Sequence, residues 1–117
     1  MTTAACWQLS SELNEIVDAD PDMLTELIAM FISDSVVRLD RLSAACTAGD
    51  FRIIRAQAHS VKGSALQMGA PGLASFCAAL ELAESPQPDV RVRMLSAIQD
   101  EFILVQRAME GHLGNIS

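Results

Sequence analysis

Tyrosine is absent from this chain of 117 residues, and its other aromatics are four phenylalanines and one tryptophan. A core must therefore be assembled from Leu, Ala, Ile, Met and Val, a composition that leans towards helices. No stretch alternates apolar and polar residues at period two over the length of a strand, which argues against a sheet. No apolar run approaches the roughly 18 to 20 residues of a membrane span, and the N-terminus lacks the basic and then apolar pattern of a secretory signal. These absences predict a cytoplasmic protein with no membrane partner, whether free-standing or part of a larger chain.

Cysteine is scarce and follows no pairing pattern. Cys6, Cys46 and Cys77 form an odd set without repeated spacing, which argues against a disulfide framework. Cys46 and Cys77 fall on apolar helix stripes and read as small core residues. Basic residues are also few, 8 against 15 acidic for a net charge of −7, so no broad positive surface is available for nucleic acid. The two histidines, His59 and His112, form no Glu-x-x-His or His-x-x-x-His pair, and no metal site is expected. Asp18, Asp20 and Asp22 lack the spaced loop and closing glutamate of a calcium site. Ala70-Pro71-Gly72 lacks the glycine pattern and following Lys-Ser or Lys-Thr of a phosphate-binding loop. The chain is thus expected to carry no cofactor and no nucleotide site of its own, and not to be a kinase.

What is present reads as one domain over residues 1–117, a length suited to a single core. Residues 1–9 are predicted to be loose, with Trp7 and Leu9 tucking against the helices. A short helix is predicted from Ser11 to Asp18, capped by Ser10 or Ser11, with Leu13, Ile16 and Val17 inward. Asp20-Pro21 signals a second start, an N-cap followed by proline at the first helical position. Leu24, Leu27, Ile28, Phe31, Ile32, Leu39, Leu42 and Cys46 then keep helical spacing, with a weakening at Ser33 to Ser35 that marks a bend or a break. Gly49 ends this segment and Asp50 caps the next. After Gly69, a helix from about Pro71 to Ala83 is predicted to bury Leu73, Phe76, Cys77 and Leu80. Ser85-Pro86-Gln87-Pro88 interrupts the pattern. A last helix from about Asp89 to His112 carries Val92, Leu95, Ile98, Phe102, Val105 and Met109, and Gly111 to Ser117 is predicted to fray. Short connections favour antiparallel neighbours, so the predicted fold is all-α: an up-and-down antiparallel four-helix bundle over about residues 20–112, with an accessory helix in the N-terminal extension 1–19.

The chain is organised around Asp50 to Gly69. Phe51, Ile54, Ala58, Val61, Ala65 and Met68 recur at steps of three and four, the period of one buried helix face. A second row, Arg52, Arg55, His59, Lys62 and Leu66, lies about 100° round the helix. Lys62 is the only lysine of the chain, so three of its eight basic residues stand in the row of His59. Gly63, one turn after His59, costs roughly 1 kcal/mol relative to alanine inside a helix. A missing side chain there gives a partner access to the imidazole. A lone helical histidine is usually structural or merely exposed. Here Gly63, Lys62 at i+3 and Arg55 at i−4 point instead to chemistry with an anionic target. A helix surface lacks the enclosing pocket and orienting partner of a general base, and suits a nucleophile that another protein must reach. Glu81 and Glu84 read as solvated, and His112 as a favourable helix C-terminal group.

The run AHSVKGSALQMGA, Ala58 to Ala70, resembles the histidine-containing phosphotransfer (HPt) family, with its alanine-histidine pair, two spacers, lysine-glycine-serine and a later glycine-alanine. Asp20-Pro21, Phe31 with Asp34, Ala48-Gly49-Asp50, and Leu73 through Leu80-Glu81 extend the likeness over about Leu13 to Leu113. Val61 and Met68 stand where leucine is commoner, both apolar exchanges. The resemblance implies a phosphorelay protein of two-component signalling, in which Nε2 of His59 takes a phosphoryl group from a receiver aspartate and passes it to another receiver. It implies response-regulator receiver domains and a hybrid sensor histidine kinase as partners, with Mg²⁺ on the receiver. On the mechanical side, Lys62 and Arg55 would offset charge on the transferring oxygens, and Gly63 would admit the partner. Ser60, Leu66 and Gln67 would line the docking surface, with partial burial an equal reading for Leu66. The expected state is a monomer. A pseudo-HPt adaptor that binds receivers or kinases without phosphorylation is the alternative. The dimerisation region of a kinase is a further one, disfavoured by Ser60-Val61-Lys62-Gly63 after the histidine.

Overall fold

Five helices follow one another in the computed structural model, which describes residues 7–116 and the side chains of 7–114. They are α1 (Ser11–Ala19), α2 (Pro21–Ala48), α3 (Phe51–Met68), α4 (Pro71–Leu82) and α5 (Pro88–Ile116), and no strand occurs among the described residues. Local chemistry sets each boundary. Ser10 Oγ accepts from the backbone N–H of Leu13, which decides between the two candidate caps in favour of Ser10. Asp20 and Asp50 cap α2 and α3 in the same way, and Gly49 and Gly69 close those helices in the left-handed region at φ +72° and +83°.

Helices α2 to α5 form the bundle: α2 packs on α3, α3 on α4, α4 on α5, and α5 returns to α2, while α1 rests on α2. The apolar stripes meet in one core that includes Leu24, Ile28, Ile54, Val61, Leu73, Leu80, Ile98, Val105 and Met109. None of the helices, over the described residues, is long and apolar enough to cross a membrane.

Several local expectations give way to tertiary packing. α2 runs unbroken through Ser33 to Ser35, because Ser35 is small enough to sit buried in the core stripe between Phe31 and Leu39. Ile16, Phe76 and Val92, each expected inward, are exposed. At Val92 the cause is its neighbour. The inward line of α5 continues back from Leu95 to Arg91, four residues earlier. The Arg91 guanidinium donates to the carbonyls of Cys46 and Pro86 at 3.1 and 2.9 Å and lies over the Phe51 ring.

Trp7 and Leu9 tuck against the helices as expected, and α5 does not fray over its described residues. Trp7 is buried, its indole N–H donates to the carbonyl of Met68 at 2.6 Å, and its ring meets His112 edge-on at 5.5 Å. The backbone N–H of Gln8 adds a bond to the Gly69 carbonyl at 3.1 Å, and Leu9 packs on the core. α5 continues past Gly111 to Ile116, so His112 is a packing partner of Trp7 within the helix and not its terminal group. The expectations for residues 1–6 and for Ser117 lie outside the described residues.

Candidate functional site

α3 delivers its chemistry because its two rows separate. Ile54, Ala58, Val61, Ala65 and Met68 are buried, while His59 is turned outward with its side chain 67% exposed. α4 runs back beside α3, and small buried residues at Ala58 and Ala65 on α3 and Ala74 and Cys77 on α4 suit a close approach of the two helices. That approach brings Glu81, near the end of α4, against the middle of α3.

Glu81 is the residue that sequence reasoning placed in solvent. Its side chain is only 21% exposed, and its two oxygens are divided between two partners. Oε2 lies 2.7 Å from Nδ1 of His59 and Oε1 lies 2.6 Å from Nζ of Lys62. His59 and Lys62 are neighbours at i and i+3, so one carboxylate from the next helix can span both. The ammonium of Lys62, and after it the imidazole, hold the Glu81 carboxyl below its ordinary value of 4.5, against the opposing effect of partial burial.

A carboxylate only accepts hydrogen bonds, so a neutral His59 carries its proton on Nδ1 and donates it to Glu81. Nε2 then holds the lone pair, and no protein group bonds to it among the described residues. The site therefore offers an oriented nucleophilic nitrogen at a surface. Glu81 serves as the orienting partner that the histidine helix by itself lacks.

The surroundings suit a protein-sized partner. A Cβ built on Gly63 would meet nothing within 4 Å. Leu66 is 59% exposed on the same face, so the burial reading of its position does not hold. Arg55 is exposed and joins no ion pair among the described residues. Ser60 is half-buried, and Gln67 turns to the flank of α2, lining a groove of about 280 Å³ with Leu27, Met30, Phe31, Asp34, Ser64 and Met68. A second hollow of about 290 Å³ joins Leu66 to Gln8, Leu9 and Ser10 of the N-terminal strap. Neither Met30 nor the strap carries a local motif, so this part of the surface is visible only in the folded chain.

Beneath the site, burial pushes the Cys77 thiol up to about 12, with the Glu81 charge adding to the effect and Lys62 opposing it. A thiol so held is inert at neutral pH, in keeping with a small core residue. No cluster of three His, Cys, Asp or Glu side chains that could hold a metal occurs among the described residues.

The helical bundle thus presents an imidazole on its outer surface, with a carboxylate at one ring nitrogen and an uncovered glycine one turn away. The Hpt domain family profile matches residues 26–108, most of the chain, and the chain belongs to that family. It is similar to histidine-containing phosphotransfer protein 2 of Arabidopsis thaliana, 29% identical over 89 residues that cover 73% of this chain. The matched stretch spans 57% of the length of that plant protein. Among solved structures it is similar to histidine-containing phosphotransfer protein B of Pseudomonas aeruginosa PAO1. The two chains are 28% identical, with a TM-score of 0.80, 94% of this chain and 96% of the other being covered.

Proposed function

We propose that the protein is a phosphorelay intermediate that carries a phosphoryl group on His59 between receiver domains. The observation that carries this reading is the pairing of Nδ1 with Glu81, which leaves Nε2 as the free nucleophile beside an uncovered Gly63. In the transfer, the Nε2 lone pair attacks phosphorus of a receiver's aspartyl phosphate. The bond from phosphorus to the carboxyl oxygen breaks, and the aspartate leaves as its carboxylate. The Nδ1 proton stays in place, and the positive charge that the ring gains is met by Glu81. Passage to the next receiver reverses these steps. Lys62 and Arg55 offset charge on the phosphoryl oxygens, and Mg²⁺ belongs to the receiver pocket.

The docking face comprises Gly63, Leu66, Ser60 and Gln67, extended by Met30. A hybrid sensor histidine kinase and response-regulator receivers are its partners, encountered in the cytoplasm by a monomeric carrier without kinase activity. The whole chain from 1 to 117 acts as one domain in this reading, residues 1–19 as an extension of the bundle at 20–112.

Incubation with a phosphorylated receiver tests the proposal. Acid-labile, base-stable label should appear on this protein and vanish completely in His59→Gln, while circular dichroism of the variant stays unchanged. An unlabelled wild type that still binds the receiver would make it a pseudo-HPt adaptor. Undiminished label on His59→Gln would assign the chemistry elsewhere.

A further inference from the structure

A second groove lies across the bundle from the histidine. The seam between α3 and α4 holds His59, Lys62 and Glu81. In the ring of four helices the α2–α5 seam stands opposite it, between the two longest helices, of 28 and 29 residues. There a groove of about 370 Å³ is lined by Val36, Leu39 and Asp40 of α2 and by Gln99, Asp100, Phe102 and Ile103 of α5. Leu39 and Phe102 are buried, while Val36 and Ile103 leave 45% and 43% of their surface in solvent. Asp40 and Asp100 are exposed carboxylates, neither joins an ion pair among the described residues, and no lysine or arginine lines the groove.

The two walls repeat one pattern. On α2 the apolar Val36 and the acidic Asp40 are one turn apart, and on α5 Asp100 and Ile103 are likewise. A matching occupant places apolar side chains over Val36 and Ile103 and basic ones a turn away against Asp40 and Asp100. That is the face of a basic amphipathic helix. A second copy of this chain does not fit. Its 15 acidic residues outnumber 8 basic ones, so a second copy brings more like charge than opposite charge to Asp40 and Asp100. Nucleic acid and anionic lipid are repelled for the same reason.

We propose that the α2–α5 groove docks a basic amphipathic helix of a partner protein, on a face that stays available while His59 is engaged. The probe is a helical peptide of about four turns with leucines at i, i+3, i+4 and i+7 and lysines elsewhere. It is titrated into the full chain labelled with nitrogen-15, in parallel with a peptide carrying glutamate for lysine. The lysine peptide should shift the amides of Val36, Asp40, Asp100 and Ile103 and their neighbours, and the glutamate peptide should not. Binding should weaken as salt rises from about 0.05 to about 0.5 M, and at least threefold in a D40N/D100N variant. Val36→Gln with Ile103→Gln, both at half-exposed positions, should weaken it without loss of fold. Shifts centred on His59 to Leu66, equal binding of the glutamate peptide, or indifference to D40N/D100N would overturn the proposal. So would a concentration-dependent dimer in light scattering that Ile103→Gln abolishes, since the occupant would then be a second copy.

Discussion

Gly63 and Gly69 stand on the same helix and answer to different demands. At Gly69, which closes α3, the backbone has φ +83°, and an added Cβ would lie 2.0 Å from the carbonyl oxygen of Gln8. The N-terminal strap crosses there, tied by the Gln8 N–H to the Gly69 carbonyl and by the Trp7 indole to Met68. Both the conformation and the contact require a residue without a side chain. At Gly63 the helix is regular and a Cβ would meet nothing within 4 Å. No contact within the fold calls for glycine at that point, although it costs about 1 kcal/mol of helix stability. One glycine is explained by the protein's own chain and the other is not, which separates the part of α3 that builds the fold from the part to which the proposed function assigns a partner.

Gly69→Ala should break the first half of this contrast most severely. A left-handed alanine costs about 1–2 kcal/mol, and displacing the strap forfeits hydrogen bonds worth about 1 kcal/mol each. Urea unfolding should therefore register a loss of about 3–4 kcal/mol, with Trp7 fluorescence shifting to the red as the indole reaches water. Label transfer to His59, measured well below the denaturation midpoint, should remain. A stability change under about 0.5 kcal/mol would mean that the strap yields freely and does not constrain Gly69.

Glu81→Gln acts on the other half, where the cost should fall on function. The amide can still accept from Nδ1, but it no longer fixes the tautomer by charge, and it cannot balance a ring that becomes cationic. Phosphoryl acceptance should fall about tenfold, the scale of one lost charge-assisted hydrogen bond, while His59 still labels. The same residue makes stability depend on pH in a known direction. With its folded value below 4.5, Glu81 binds fewer protons than in the unfolded chain. Its contribution is thus present in full above 4.5 and disappears as pH falls through the lower folded value. Unfolding curves of wild type and Glu81→Gln should differ at neutral pH and converge on acidification. A difference that persists at low pH would assign the effect to packing and not to charge.

How far the sequence exposes these features depends on where their causes lie. Asp20-Pro21, Gly49-Asp50 and Gly69 are local signals, and the apolar stripes are periodic, so the helices and their order follow from the chain alone. His59, Lys62 and Gly63 share one helix, and their spacing could be read. Glu81 lies 22 residues further on, on a different helix, and its neighbour Glu84 offers the same local pattern without the contact. Only the packing of α4 on α3 distinguishes them. Arg91 is a similar case: the apolar pattern puts Val92 on the inward line, and only the folded chain shows Arg91 there, donating to the carbonyls of Cys46 and Pro86. The place of His112 inside α5 likewise involves Trp7, a contact made from the opposite end of the chain.

The smallest expected effect tests the contrast most sharply. Gly63→Ala adds a methyl group to open space in a regular helix, so stability should rise by about 0.5–1 kcal/mol, read as a higher urea midpoint. Gly63→Leu should also fold, since a side chain at that position projects into solvent and not into the bundle. The two variants should then part in transfer. Alanine leaves most of the approach to Nε2 free, whereas leucine puts its bulk one turn from the imidazole, where a receiver must bring its aspartate into line. Receiver-dependent labelling should fall with side-chain size, while reaction with a small phosphoryl donor such as phosphoramidate, which needs no protein surface, stays near the wild-type rate. If leucine stabilises the helix and transfer from the receiver is undiminished, Gly63 has no role in access, and its difference from Gly69 is not one between function and fold.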